Sequence, residues 1–451
     1  MAWIHADIDG ERLDDITLQA VRSMPSRVRE VVQTLQKHGH GAWLVGGCVR
    51  DIFTNTKTSD FDVATTATPD EVSELFENQT VPTGIEFGTL TLKGEVLVEV
   101  TTLRTEGAYR DGRHPDAVQW GTSLLQDLER RDFTMNAMAI DVGLERIYDP
   151  FHGRFDVRRG ILKGVGDPLQ RCNEDVLRVL RAFRFLCPAK GILFQLDQQL
   201  SNAIRLTSAK IKDLSVERVW SELKKILDKD KCIAILSHMI DSGVYQHIFS
   251  ESKSPSQKIL DCIEPMFHQL TTMQKFAVLC TSVEHAQVEA YLLHLKSSNI
   301  ERKEALQFHS LLGCSPTSSI PSLRIMRHFH PNSMVTLLEI QLAFARERVQ
   351  IYGSTFILES NADHALTIAT SLTPRRSSHD SILTGYDIMT ATGIQEGIKL
   401  GRLKEWIFKI QIEKDVDSKE QMMHELAQLD WKYLEVNDFP RLAINCHPST
   451  S

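Results

Sequence analysis

Asp60-Phe61-Asp62 is followed by the apolar residues Val63 and Ala64. In an extended chain, residues two apart project to the same side. Asp60 and Asp62 can therefore converge on one cation while Phe61 faces the opposite, buried side. Carboxylate oxygens are hard ligands suited to Mg2+, which binds through one or two carboxylates together with substrate phosphates. Two such ions can orient an attacking hydroxyl and stabilise a departing phosphate oxygen. Glu99, between Val98 and Val100, is a candidate third carboxylate. Upstream, Gly46-Gly47 lets the backbone approach a triphosphate closely, and Arg50 can neutralise its charge. The pair is not a Walker A loop, because no GxxxxGK[ST] follows. Most isolated Asp-x-Asp patterns are solvated loop acids; the Gly-Gly element before this one makes it specific.

A second constellation lies downstream. Glu174 to Leu186 reads as one amphipathic helix stopped by Pro188. On such a helix Asp175 and Arg178 are neighbours at i, i+3. Cytosine and adenine share an edge on which an exocyclic amine donor lies beside an unprotonated ring nitrogen. Asp175 can accept from that amine and Arg178 can donate to the ring nitrogen. Uracil and guanine present the reverse pattern, and leaving such groups unpaired costs about 1–3 kcal/mol each. One acid–arginine pair thus selects C and A. The alternative reading of an isolated stretch of this kind is a salt-bridged surface helix.

These residues need elements to hold them. Ala42–Val45 and Phe61–Ala64 predict strands, and Thr89–Leu92 with Val96–Val100 predicts a hairpin around Lys93-Gly94-Glu95. Thr68-Pro69-Asp70-Glu71 opens a helix, with Thr68 as N-cap, proline at the first position and acids in the first turn. From about Asp167 the pattern is helical almost throughout, including Val216–Leu227. The expected class is α+β. A head over 1–150 precedes a helical neck over 151–228, a body over 229–372, a tail over 373–435 and a C-terminal extension over 436–451. The last dozen residues look like an untethered tail.

Composition bounds the function. With 42% hydrophobic residues the chain can bury a sizeable core, so wholesale disorder is excluded. A net charge of −8 argues against indiscriminate nucleic-acid coating, although a local basic groove can sit within an acidic whole. Arginines do gather between Arg104 and Arg184. The eight cysteines lie singly, without a CxxC pair, which reads as reduced thiols in a cytosol-like compartment. The acidic start lacks an apolar signal region and no run is long enough to span a membrane, so the expected location is cytoplasmic.

Leu44–Asp51 with Asp60–Thr65 resembles the signature of the DNA polymerase β nucleotidyltransferase superfamily. More narrowly the chain is similar to the class II tRNA nucleotidyltransferases (CCA-adding enzymes) and bacterial poly(A) polymerases. Arg130-Arg131-Asp132-Phe133-Thr134-Met135-Asn136-Ala137 matches that family's RRDFTxNA motif, which implies ribose recognition by Arg131, Asp132 and Asn136. Tyr148–Gly153 resembles its DPFGG-like turn, with His152 where glycine is usual. Glu174–Phe185 matches EDxLRxxRAxRF and implies that Arg181 and Arg184 also contact the nucleotide. Leu214–Val219 matches the SxERI helix start, and Leu383–Met389 with Gly393 and Gly397 is similar to a tail turn that helps to hold tRNA.

The resemblance implies addition of C, C and A to tRNA 3′ ends from CTP and ATP, with two Mg2+ ions and no DNA or membrane partner. A-adding and poly(A) activities are the alternatives. The full-length segment Val100–Arg113 argues against CC-only addition, and Thr83–Thr89 resembles the CCA-type TGxxxGT. A catalytically dead RNA-binding protein would be expected to lose the carboxylates or the base-reading pair. An antibiotic nucleotidyltransferase would not need the RRDFT and EDxLR blocks. His379-Asp380 reads as a surface loop. Arg375-Arg376 could touch RNA phosphates but reads better as a solvated loop.

Overall fold

The computed structural model describes residues 4–58, 60–84, 88–105, 119–249, 254–352 and 356–444. The chain divides into two units, Met1–Glu251 and Ser252–Ser451.

Among the described residues the first unit contains twelve strands: β1 (Glu11–Arg12), β2 (Ala42–Val45), β3 (Phe61–Thr65), β4 (Thr80–Gly84), β5 (Thr89–Leu92), β6 (Val98–Thr102), β7 (Arg104–Thr105), β8 (Gln119–Trp120), β9 (Ala139–Asp141), β10 (Arg146–Tyr148), β11 (Ile161–Leu162) and β12 (Gln195–Leu196). Eight of them form one sheet in the order β1-β10-β9-β2-β3-β6-β5-β4. Every pair in that sheet is antiparallel except β3 with β6. The helices of this unit are α1 (Asp15–Arg22), α2 (Ser26–Lys37), α3 (Gly47–Phe53), α4 (Pro69–Leu75), α5 (Leu124–Glu129), α6 (Gly153–Arg159), α7 (Pro168–Glu174), α8 (Leu177–Phe185), α9 (Gln198–Thr207), α10 (Val216–Leu227), α11 (Cys232–Asp241) and α12 (Val244–Ile248). The expected α+β class holds.

Alternation along the strands explains why both faces of the sheet are covered. Leu44, Phe61, Val63, Val98 and Val100 point to one face and pack with Val28, Val31, Val32 and Leu35 of α2. Trp43, Val45 and Ala64 point to the other, where Leu124 and Leu128 of α5 close over them. The expected hairpin forms as β5 and β6. Thr68 caps α4 in a reciprocal box with Glu71, Pro69 standing in the first turn.

Two local predictions need correction. Glu174–Leu186 is not one helix: it breaks at Asp175, whose backbone is extended (φ −142°, ψ 103°), between α7 and α8. The thiols are not all reduced either. Among the described residues six cysteines are free, whereas Cys314 is disulfide-bonded. Spacing along the chain does not limit which cysteines a fold brings together.

The second unit is helical, from α13 (Gln257–Phe267), α14 (Thr272–Leu279), α15 (His285–His294), α16 (Asn299–Leu312), α17 (Ile320–Phe329), α18 (Met334–Arg346) and α19 (Glu359–Ser371) to α20 (Gly385–Thr392), α21 (Ile398–Lys414) and α22 (Lys419–Ala427). Leu383, Ile388, Leu403, Ile407, Met422 and Leu426 form the core of its last part. The C-terminal segment is tied down rather than loose as far as Leu442, whose N–H donates to Glu405 (3.1 Å). Among the described residues no helix is long and apolar enough to cross a membrane.

Candidate active site

The sheet order places β3 beside both β2 and β6, and this assembles the acidic end of the site. Asp62 pairs with Val45 at the end of β2 and lies opposite Glu99 in the parallel ladder with β6. Asp60 immediately precedes β3, and Phe61 is buried as expected. After β2 the chain turns at Gly46, in a left-handed conformation (φ 73°), and Gly47 opens α3. A Cβ at Gly46 would stand 3.0 Å from Asp62 Oδ2 and 3.2 Å from Arg131 Nη1, so the backbone approaches both side chains as only glycine allows.

The acidic end gathers Asp60, Asp62 and Glu99 around β3. The Asp62 carboxyl is pushed up to about 6 by burial, then by Glu99 and Asp60, with Arg131 and Arg50 opposing. Its side chain makes no hydrogen bond or ion pair among the described residues. Surplus charge on oxygen ligands is the chemistry a hard divalent cation relieves. Among the described residues no three His, Cys, Asp or Glu side chains form a metal cage. Glu99 does not line the cleft in front of Asp60 and Asp62.

The opposite wall is cationic. Arg130 and Arg131 follow α5, and both grip Asp127, which is 1% exposed. Arg130 Nε donates to Asp127 Oδ1 (3.0 Å) and Arg131 Nη2 to Oδ2 (3.0 Å). Burial alone would raise the Asp127 pKa, but the two arginines hold it low. Arg131 Nη1 donates to the Asn136 carbonyl (3.3 Å), and Arg50 Nη1 to the Asn136 side-chain oxygen (3.0 Å). Asp132 accepts from the Asn136 amide (3.1 Å) and from Arg181 Nε (2.7 Å). Burial would raise the Asp132 pKa too; Arg181 and the Asn136 bond keep it low. Arg184 faces Glu222 of α10 at 3.1 Å.

The break at Asp175 changes how the second constellation is held. Asp175 caps its own turn by accepting from Leu177 N–H (3.0 Å), and both its oxygens receive Arg218 Nη2 (3.0 and 3.1 Å). Arg178 Nη2 donates to the Arg130 carbonyl (3.1 Å), and its Nη1 reaches Glu174 Oε2 (3.4 Å). The two residues therefore do not share a continuous helical face, yet they line one cleft. That cleft, of about 460 Å³, is lined by Gly46, Gly47, Arg50, Asp60, Asp62, Arg130, Arg131, Asp132, Asn136, Asp175, Arg178, Arg181, Arg184 and Phe185. Every residue singled out in the sequence is there except Glu99. Asp127, Glu222 and Arg218, which hold the lining residues from behind, were not singled out as site residues. The signal for Asp127 was a carboxylate three and four residues before an arginine pair.

The matched turn between head and neck also has its physical reason. His152 is left-handed (φ 60°), a conformation glycine adopts without strain. Asp149 accepts from Gly153 N–H (2.7 Å), and a Cβ on Gly153 would meet the Thr134 carbonyl at 2.2 Å.

Comparison with known proteins decides the family. Residues 42–163 match the poly A polymerase head domain, and residues 193–254 match a probable RNA and SrmB-binding site of polymerase A. The CCA-adding enzyme of Lactococcus lactis subsp. lactis (strain IL1403) is 33% identical over 407 residues, 89% of this chain and 95% of that protein. That of Geobacillus sp. (strain WCH70) is 32% identical over 398 residues, 88% and 94% respectively. The chain belongs to the CCA-adding enzyme family. Among solved structures, the Bacillus stearothermophilus CCA-adding enzyme in complex with CTP is similar at TM-score 0.61 and 25% identity, covering 90% of this chain and 98% of that one. The Thermotoga maritima CCA-adding enzyme complexed with tRNA shares the fold (TM-score 0.56, 17% identity, 92% and 99% covered).

Two family motifs fall partly outside the described residues: 106–113 of the segment Val100–Arg113, and 85–87 of the TGxxxGT match. In the second unit the tail turn is built by a capping box. Thr384 N–H donates to Asp387 (2.9 Å), Asp387 N–H donates back to Thr384 Oγ1 (3.2 Å), and Gly393 ends α20 left-handed. His379 and Asp380 are exposed, as expected. Arg375 is not a free phosphate contact: its Nε donates to the Ser377 carbonyl (3.0 Å) and its Nη1 to His328 Nδ1 (2.8 Å).

Proposed function

We propose that the cleft joins a nucleotide to an RNA 3′ end, with Asp60 and Asp62 at the reacting phosphate and Asp175 with Arg178 at the base. The activity is addition of C, C and A to the 3′ end of tRNA from CTP and ATP. One observation carries the reading: a single cavity contains both the acidic pair and the acid–arginine pair.

The tRNA 3′-oxygen forms a bond to the α-phosphorus as the bond to the β-phosphate oxygen breaks. The hydroxyl loses its proton and pyrophosphate leaves. Arg50, Arg181 and Arg184 supply positive charge for the polyphosphate. Asp132, Asn136 and Arg131 form the hydrogen-bonded set assigned to the ribose, and Asp127 keeps Arg131 in place. Asp175 and Arg178 offer an acceptor and donors that match C and A but not U and G. Asp60 and Asp62 would hold Mg2+; Glu99, opposite Asp62 on the adjacent strand but outside the cleft lining, stays a candidate third carboxylate. Once bound, the ions supply activation of the hydroxyl and neutralisation of the leaving oxygen. The elevated Asp62 pKa supports this assignment: burial first, then the neighbouring acids Glu99 and Asp60, disfavour its ionised form, a cost that a bound cation would offset. The helices over 373–435 are assigned to tRNA binding, and the reaction to the cytoplasm.

Asp60→Ala tests the chemistry: it should abolish incorporation while leaving tRNA binding largely intact, and full residual activity would sink the assignment. Substrate choice is read by offering tRNAs ending at the discriminator base, at C and at CC, with CTP and ATP separately. Stepwise completion to CCA is expected; A addition alone, or an open-ended A ladder, would overturn it.

A further inference from the structure

Phe185 ends α8 and lines the cleft, yet no step above uses it. Three guanidinium groups gather over its ring, their carbons 4.3 Å (Arg184), 5.3 Å (Arg181) and 5.4 Å (Arg50) from the centroid. They come from two separate elements, α3 and α8, and each has a polar partner of its own: Asp51 and Asn136 for Arg50, Asp132 for Arg181, Glu222 for Arg184. Phe133, itself buried, meets the Phe185 ring edge to face at 5.6 Å and limits its rotation. Three cations this close repel one another. The Arg184 pKa is lowered by burial and then by Arg181, with Arg50 adding to the effect. An aromatic face attracts cations through its quadrupole, whereas an aliphatic side chain of similar volume does not.

We infer that Phe185 is a positioning residue, whose ring holds Arg50, Arg181 and Arg184 together as a preassembled anion site for the polyphosphate of the incoming nucleotide. This rests on reading the cleft as the nucleotide site. Preassembly matters because the arginines then lose little further freedom when the nucleotide arrives.

The test uses the full-length protein with Phe185→Leu and Phe185→Tyr. KM for CTP and ATP is measured on tRNA substrates, together with inhibition by inorganic tripolyphosphate, which carries the charge but no base. The Leu variant should raise both KM values and the tripolyphosphate inhibition constant by a common factor of about 3–10. Its kcat should change little, and Tyr should behave as the parent. Three results would overturn the inference: Leu indistinguishable from the parent, a raised KM with unchanged tripolyphosphate inhibition, or Tyr as impaired as Leu. Should the Leu variant lose its circular-dichroism signature, Phe185→Met replaces it, having comparable volume and no π face. Activity surviving Asp60→Ala would remove the underlying reading of the cleft. The Phe185 results bear only on how the arginines are held.

Discussion

Asp62→Asn should make the metal-free protein more stable while destroying its activity. In the fold the carboxyl titrates near 6 rather than at its ordinary 3.8. At about 1.36 kcal/mol per unit, the ionised form is disfavoured by about 3 kcal/mol. Asp62 is partly open to solvent, so screening reduces this to about 1–2 kcal/mol. The sign follows from which state ionises first. As pH rises from 4, the unfolded chain gives up this proton before the folded one, so stability falls between 4 and about 6 and stays lowered above that. Asparagine cannot ionise and escapes the loss. At pH 7.5 in EDTA the variant should therefore melt about 3–6 °C above the parent. The gap should close towards pH 4.5. Saturating Mg2+ should raise the parent's melting temperature towards that of the variant and scarcely move the variant. Differential scanning fluorimetry at the two pH values, with and without Mg2+, reads all of this. A variant less stable than the parent at pH 7.5, or a gap independent of pH, would refute the account of Asp62 as a carboxyl whose ionised form is disfavoured.

Other outcomes follow from the same contacts. Asp127→Asn removes the anion shared by Arg130 and Arg131; loss of one partner of such a buried set costs about 3–5 kcal/mol. Thermal unfolding should show that loss, and nucleotide incorporation should fall with it. Arg218→Ala frees Asp175 without touching the cleft lining, so UTP and GTP misincorporation should rise about tenfold, as expected for about 1.4 kcal/mol of lost discrimination. Single-nucleotide extension with each of the four triphosphates checks it, and unchanged selectivity counts against Asp175 as a base reader. His152→Gly relieves a left-handed residue and should stabilise the protein by about 0.5–1 kcal/mol, visible in urea midpoints.

The elements that carry the acidic pair were legible because their signals are local. Alternation fixed β3 and the burial of Phe61, the Thr68 cap fixed the start of α4, and Val216–Leu227 is helical over the range its periodicity indicates. What escaped depended on distant partners. Nothing between Glu174 and Leu186 forbids a helix; the chain breaks at Asp175, where the carboxylate meets Arg218 from α10. Asp127 reads as an ordinary polar residue of a short helix, and its burial arises only because α5 lies over one face of the sheet. Glu99 was placed beside Asp62 by the pairing of β3 with β6, a parallel neighbour that strand patterns alone do not specify. The disulfide at Cys314 and the anchoring of Leu442 to Glu405 are likewise contacts that no local pattern encodes.

The break at Asp175 has a consequence for anyone who would redesign nucleotide choice. A carboxylate fixed by helical pitch could be exchanged alone, since its neighbours would dictate where the replacement points. Here the aim of the side chain is set by a guanidinium 43 residues away. If Asp175 reads the base as proposed, specificity would be stored in a two-residue unit, and editing one half would leave the other misdirected. On that reading, libraries that vary Asp175 should vary Arg218 with it, since Arg218 donates to both Asp175 oxygens.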